Sequence, residues 1–397
     1  MAESVHTARW INQINDQGWD IHLFPSIDWG LTHPDIRNID VYHSFYGKRS
    51  NRSHWAKLHG IPVISEFAAQ TGRLMLKRIR LSYRTIQLIH LIHKLQPDMI
   101  HSMEIQAGGY LVLDAKRRYK QKFPPWIVTN WGSDIYLFGR LADHVDRIKA
   151  VLASCDYYSC ECQRDVRLAK EMGLRGEVLS ILPNTGGFDL KRVARFRQSG
   201  PTSERRLILL KGYQHFAGRA LVALRAVSLC ANELKGYKVL IYSPSPDVKI
   251  AAELVSQSTG IPIDIIPPCS HDEMLQLYGA ARIYIGLSIS DAISTSLLEA
   301  IVMGTFPIQS CTSSAEEWIR DGETGLIVPP EDPEPVAAAI RRALSDDALV
   351  NRAAELNARV ARERLDESVI RPQVIAMYKK IADQARIRER KQEMYRL

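Results

Sequence analysis

Residues 282–310 read RIYIGLSISDAISTSLLEAIVMGTFPIQS. An apolar run from Arg282 to Ser288 ends in a short polar loop, Ile289 to Ile293, that carries Asp291. A helix opens at Ser294-Thr295-Ser296, passes through Glu299 and stops at Gly304, and a second apolar run follows to Ser310. Runs without polar alternation mark strands buried on both faces, as in a parallel sheet covered by helices. Strand, loop and helix in that order leave the first backbone N–H groups of the helix without intrahelical partners, so its mouth favours an anion. The hydroxyls of Ser294, Thr295 and Ser296 add donors. Asp291 and Glu299 stand at the carboxyl edge of the strand, where open α/β sheets bind their ligands.

The same alternation recurs along the chain. Strand-like runs are expected at 21–24, 61–64, 98–103, 126–131, 157–162 and 177–183, and again at 206–212, 237–243, 263–268, 282–288, 305–310 and 325–330. Helical patterns such as 74–95 and 219–234 lie between them. The fold class is therefore α/β with parallel sheets. A stretch rich in Gly, Pro and Ser at 183–206 interrupts the pattern and reads as a linker between two Rossmann-like halves. The expected domains are residues 1–190, residues 205–370 and a C-terminal helical segment, 371–397, too polar for a core. The helix TARWINQIND starts near residue 7 after only MAESVH. The strand that a βαβ unit needs before its first helix is missing, and the natural start is expected upstream.

Of the 397 residues, 46% are apolar and 24% charged, which excludes a disordered chain, a collagen or a small disulfide scaffold. Lys plus Arg is 52 and Asp plus Glu is 44, a net charge of 52 − 44 = +8 that favours anionic partners. No run approaches the ~20 apolar residues of a bilayer span, and no secretory signal opens the chain. Six Cys are sparse; Cys160-x-Cys162, with Cys155, lacks a second matched pair, so these read as buried strand thiols and the chain as a reduced, cytoplasmic protein. The basic clusters at 76–84 and 115–122 suit either a solvated helix face or an anionic membrane at its inner surface. Aromatic residues do not interleave with them as a nucleic-acid stacking platform requires.

The 282–310 window resembles the C-terminal domain of retaining, metal-independent glycosyltransferases of the GT-B fold, family 4. Their hallmark is an acid, seven residues and a Glu, then an Ala-rich turn and Gly-x-Pro. Here these are Asp291, Glu299, Ala300, Gly304 and Pro307. The resemblance continues through AEEWIRDGETGLIVPPEDPEPVAAAI (315–340), ILPNTGGFD (181–189), HTARWINQINDQGWDIHLF (6–24) and TNWGSDIYLF (129–138). It implies two Rossmann-like domains with sheets facing across a cleft and a C-terminal helix crossing back. It also implies transfer of a hexose-type sugar from a nucleoside diphosphate sugar to a glycan or lipid-linked acceptor, with retention at the anomeric carbon.

The resemblance implies roles residue by residue. Glu299 would take the ribose hydroxyls, Asp291 the hydroxyls of the transferred sugar, and the backbone and hydroxyls from Ile293 to Thr295 the diphosphate. The family draws an Arg and a Lys from a loop that reads LLKGYQHFAGRAL (209–221) here, with Gly212 and Ala217 at the matching positions. Lys211 and Arg219 flank these and are expected to replace them. In the N-terminal half, His6, Trp131, Asp134 and His101 are the expected acceptor-side residues, with Trp131 where many members have a His. No Asp-x-Asp triplet occurs, and neither metal nor cofactor is expected beyond the sugar nucleotide. The rival readings are a nucleotide-sugar epimerase or hydrolase on the same fold, and a basic, non-enzymatic nucleic-acid-binding protein.

Overall fold

A computed structural model describes residues 2–47, 55–79 and 83–394. The chain divides into two units, Met1–Gly186 with Arg371–Leu397, and Gly187–Ile370.

The first unit runs α1 (Val5–Asn12), β1 (His22–Leu23), β2 (Asp40–Tyr46), β3 (Lys57–Pro62), α2 (Glu66–Ile79), α3 (Tyr83–Leu95), β4 (Ile100–Met103), α4 (Tyr110–Arg118), β5 (Trp126–Thr129), α5 (Ser133–Tyr136), α6 (Ala142–Ser154), β6 (Tyr157–Ser159), α7 (Gln163–Glu171) and β7 (Glu177–Val178). Its parallel strands form two sheets, β1-β2-β3 and β4-β5-β6-β7. β2 was not among the expected strands; its sequence, DVYHSFY, is mostly polar or aromatic, and only alternate positions are fully buried at first. β3 lies a few residues before the expected 61–64; of the helix expected over 74–95, residues 80–82 lie outside the described residues and the rest is helical. No strand precedes α1 among the described residues. β1 and β4 both line two cavities of about 220 and 670 Å³, which share His22, Leu23, His101 and Met103.

The second unit runs α8 (Leu190–Ala194), β8 (Leu207–Lys211), α9 (Ala220–Leu229), β9 (Lys238–Tyr242), α10 (Pro246–Thr259), β10 (Ile263–Ile265), α11 (His271–Ala280), β11 (Ala281–Gly286), α12 (Thr295–Met303), β12 (Phe306–Ser310), β13 (Leu326–Val328), α13 (Pro333–Ser345) and α14 (Asp347–Arg364). One parallel sheet has the order β10-β9-β8-β11-β12-β13. Successive strands step outward in one direction from β8 and in the other from β11, so the topological switch point lies between these two. Residues 187–204, expected as linker, pack within this unit. Asp189 caps α8 by accepting from the Arg192 N–H (2.9 Å), Arg192 pairs with Asp272 (2.6 Å), and Thr202 donates to the Gly304 carbonyl (2.8 Å). Polar anchors of this kind leave no apolar period to read.

The last helix, α15 (Glu367–Met394), belongs to the first unit from Arg371 onward. Although its end is polar, Val374, Met377, Tyr378 and Ile381 are buried. The Tyr378 hydroxyl accepts from Trp10 Nε1 (2.8 Å) and donates to His101 Nδ1 (2.7 Å), so His101 Nε2 carries the proton and donates to Thr129 Oγ1 (2.6 Å). Burial drops the His101 pKa to about 3, keeping it neutral. Tyr378→Phe leaves a buried indole N–H and a ring nitrogen unpaired. It should destabilise the first unit by ~1–3 kcal/mol, read by chemical denaturation.

Candidate functional site

The site of the second unit is built at the switch point, at the carboxyl ends of β8 and β11, the edge at which open α/β sheets bind ligands. The loop after β8 starts with Lys211 and Gly212. A Cβ at Gly212 would stand 2.6 Å from Pro244 Cα and 2.9 Å from the Tyr242 carbonyl, so only glycine lets the chain turn this close to β9. Backbone bonds then stitch this loop to the loop after β11, from Arg219 N–H to Leu287 O (3.0 Å) and from Ile289 N–H to Ala217 O (2.9 Å). The segments carrying Lys211 and Asp291 are thereby fixed to each other.

Lys211 Nζ donates to Ser294 Oγ at 3.3 Å. Burial works against its ammonium, but Tyr284, Asp291, Tyr213 and Glu299 more than offset this, and its pKa lies above the ordinary lysine value. Lys211 therefore stays charged within the field of both acids. Ser294 occupies the N-cap position of α12 without making a side-chain cap bond. Ile293 and Ser294 are buried and Thr295 half-buried at the helix mouth. A cation, two acids and a helix N-terminus thus share one corner of the sheet.

Glu299 is 8% exposed in a helix whose residues 296–303 are all buried. A charge so placed needs a partner. It has one in His271, whose Nε2 donates to Glu299 Oε1 at 2.8 Å. His271 is held on the first turn of α11 by a capping box, in which Ser270 Oγ accepts from the Glu273 N–H (3.2 Å) and Glu273 Oε2 from the Ser270 N–H (2.7 Å). Sequence spacing does not pair this imidazole with the acid, 28 positions away. It also misses the phenols beneath α12. Tyr242 donates to Ser296 Oγ (2.7 Å) and meets the Tyr278 hydroxyl at 3.0 Å, and both pKa values are driven up by burial. A tyrosine in an apolar strand is the sequence signal for such a cluster, because its hydroxyl must find a partner.

Arg219 is placed differently from Lys211. Its guanidinium donates to the carbonyls of His215, Ala217 and Gly218 (3.3, 3.4 and 2.9 Å) and to Glu331 (3.3 Å). It orders the loop and stands beside His215, whose pKa is lowered by burial, then by Lys211 and Arg219.

In the first unit, the His6 and Trp131 rings lie 5.5 Å apart. Trp131 also donates its backbone N–H to Asp134 Oδ2 (3.3 Å), which accepts from the Ile105 N–H as well (3.0 Å). Burial, with the Glu104 carboxylate next, raises the Asp134 pKa to about 7. Its folded value exceeds the ordinary 3.8, so below about pH 4 its contribution to stability is full, and it is lost as pH rises through 7. His101 acts oppositely, losing stability as pH falls from 6.5 toward 3. Asp134→Asn keeps an acceptor for both N–H groups and removes the titration. Its melting temperature relative to the parent should rise between pH 5 and pH 8 by roughly 2–4 °C per kcal/mol relieved, measured by scanning calorimetry. His101 itself is tied on both ring nitrogens and positions α15.

The family described as glycosyl transferases group 1 matches residues 206–360, which span the switch-point site, and the glycosyl transferase 4-like family matches residues 48–156. The chain has the GT-B architecture, and a glycosyltransferase family model matches within each of its units. Its two parallel-sheet, Rossmann-like units are the components of that architecture. Among solved structures, the chain is similar in fold to a protein of Anabaena in complex with UDP-glucose. The TM-score is 0.66 at 12% identity, over 96% of this chain and 97% of that one. It is also similar to sucrose-phosphate synthase from Thermosynechococcus elongatus, with TM-score 0.63, 17% identity, and 86% and 88% covered.

Among curated relatives, a D-inositol 3-phosphate glycosyltransferase of Streptomyces bingchenggensis is 30% identical over 22% of this chain and 19% of that protein. An exopolysaccharide phosphotransferase of Streptomyces coelicolor is 26% identical over 46% and 19%. The matched stretches span only about a fifth to a quarter of the curated relatives' own length. Among the described residues, no group of three or more His, Cys, Asp or Glu is placed to hold a metal ion, and no helix is long and apolar enough to cross a membrane.

Proposed function

We propose that this glycosyltransferase moves a hexose-type sugar from a nucleoside diphosphate sugar to a glycan or lipid-linked acceptor, retaining the anomeric configuration, at the inner face of an anionic membrane. The observation that carries the reading is the shared corner of Lys211, Asp291, Glu299 and the N-terminus of α12. Glu299, oriented by His271, accepts the two ribose hydroxyls through charge-assisted hydrogen bonds. Asp291 holds hydroxyls of the sugar. The mouth of α12, with Ser294, Thr295 and the backbone at Ile293, receives the diphosphate, and Lys211 neutralises it. Arg219 supports the loop from which Lys211 projects. UDP-glucose in the Anabaena protein of like fold supports this class of donor.

The anomeric carbon–oxygen bond to the β-phosphate breaks as the acceptor oxygen bonds to the same face. The acceptor's proton passes to the departing phosphate oxygen. Lys211 and the helix mouth hold the charge that builds there, so neither an external base nor a covalent sugar–enzyme adduct is needed. His6, Trp131 and Asp134 are proposed on the acceptor side, with the Trp131 indole as a sugar-stacking face.

The experiment is incubation with a panel of UDP-, GDP-, ADP- and dTDP-sugars, with and without glycan and lipid-linked acceptors, followed by NMR of the product anomer. Release of nucleoside diphosphate with a retained linkage is expected. An inverted product, or free epimerised sugar made equally fast without acceptor, overturns the reading.

A further inference from the structure

The C-terminal end of α12 gathers guanidiniums without gathering acids. Arg197 Nε and Arg205 Nη1 donate to the same Met303 carbonyl, at 3.2 and 3.4 Å, and Arg205 Nη1 also reaches the Ala281 carbonyl (3.2 Å). Gly304 ends the helix in the left-handed region (φ 69°), and a Cβ there would collide with Arg197 Nη2, so only glycine admits this guanidinium. Arg205 is 3% exposed, yet its Nε–H has no acceptor. Burial, then the neighbouring Arg197, brings its pKa down to about 10. Burial, then Arg362 of α14, lowers that of Arg197.

Buried guanidiniums elsewhere in the chain are met by an acid, Arg282 by Asp347 at 2.6 Å and Arg84 by Asp28 at 3.7 Å. Among the described residues, no carboxylate forms an ion pair with Arg197, Arg205 or Arg362. Charge taken from water without a counter-charge is costly. The last carbonyls of α12 supply only about half a negative charge. Set against three guanidiniums, they leave a balance of about +2.5 at this corner.

We propose that this corner binds a phosphate-type dianion, free or as the phosphoryl group of a small monoester, between Arg197 and Arg362, with the buried Arg205 adding to the field. A single negative charge, as on chloride or acetate, would leave most of the excess in place, whereas a dianion lowers it to about +0.5. The donors are available: among the described residues, the Nη groups of Arg197 and the whole Arg362 guanidinium make neither a hydrogen bond nor an ion pair. Their planar forks match the oxygens of a phosphoryl group. Two of the three cations share one acceptor atom, which fits one phosphoryl group rather than a nucleic-acid backbone tracked along a groove. The corner stands at the opposite end of α12 from Ser294, about 13 Å away along the helix. It therefore does not rest on the functional reading of the donor corner.

The test is isothermal titration of the full chain with inorganic phosphate and, separately, with glycerol 3-phosphate, at constant ionic strength set with chloride and without sugar nucleotide. At about pH 8 the second phosphate proton is lost, and both probes are dianions. Saturable one-to-one binding of at least one of them is expected, and the tighter probe names the source. Arg362→Gln should weaken it at least about tenfold, the size of one lost charge-assisted contact. Its melting temperature without phosphate should stay unchanged, because the side chain is exposed. Lys211→Ala, which removes the cation of the donor corner, should bind phosphate as the parent does. No saturable binding of either probe, binding unaltered in Arg362→Gln, or binding lost in Lys211→Ala would each overturn the proposal.

Discussion

Lys211→Ala is expected to lower kcat by ~10²–10³ with a much smaller change in donor KM, the size typical of losing one fixed charge contact to a departing anion. The ammonium sits at the carboxyl end of β8, bonded to Ser294 at the mouth of α12. It can therefore meet a diphosphate without reorganising. Removal leaves the developing charge to the helix N-terminus alone. Lys211→Arg should recover only part of the loss, since the planar guanidinium does not fit a place shaped for a compact ammonium between Tyr213, Tyr284 and Ser294. Steady-state kinetics on donor hydrolysis and on transfer, with circular dichroism to check folding, would measure this. A Lys211→Ala enzyme within threefold of the parent would remove Lys211 from the mechanism.

Glu299→Gln should act on binding instead. The amide keeps the size of the side chain and an oxygen for the His271 N–H, but it loses the negative charge that strengthens bonds from two ribose hydroxyls. Donor KM should rise roughly 10–100-fold, equivalent to the ~1.5–3 kcal/mol of charged over neutral hydrogen bonding, while kcat falls less. His271→Ala should reproduce part of the KM effect by letting the carboxylate swing. A pure kcat effect in Glu299→Gln would place this acid at the reacting carbon rather than at the ribose.

The second unit was largely legible because its strands are buried on both faces and announce themselves as unbroken apolar runs, and because the helix from Ser294 to Gly304 is bounded by a hydroxyl cluster and a glycine. The first unit was less so. Its strand 40–46 mixes His, Ser and Tyr that satisfy one another only in the fold, as Thr32 and Asp28 do for His43 (3.0 and 2.7 Å). Residues 187–204 read as a linker since side chain-to-backbone bonds hold them rather than apolar packing. Within the site, sequence spacing placed Asp291, Ser294 and Glu299 on one strand–loop–helix. It could not reveal that His271, 28 positions away, completes Glu299. Nor could it show that Arg219 would bend back onto its own loop while Lys211 reaches the helix mouth, because both are set by backbone stitching between the loops after β8 and β11.

The corner formed by Lys211, Asp291, Glu299 and the start of α12 is proposed to bind a nucleoside diphosphate sugar. Isothermal titration of the parent chain and of Glu299→Gln with UDP-, GDP-, ADP- and dTDP-sugars tests it most directly. One-to-one binding of at least one donor by the parent is expected, weakened roughly 10–100-fold in the variant. Parent protein that binds none of them, or a variant that binds as tightly as the parent, would contradict it.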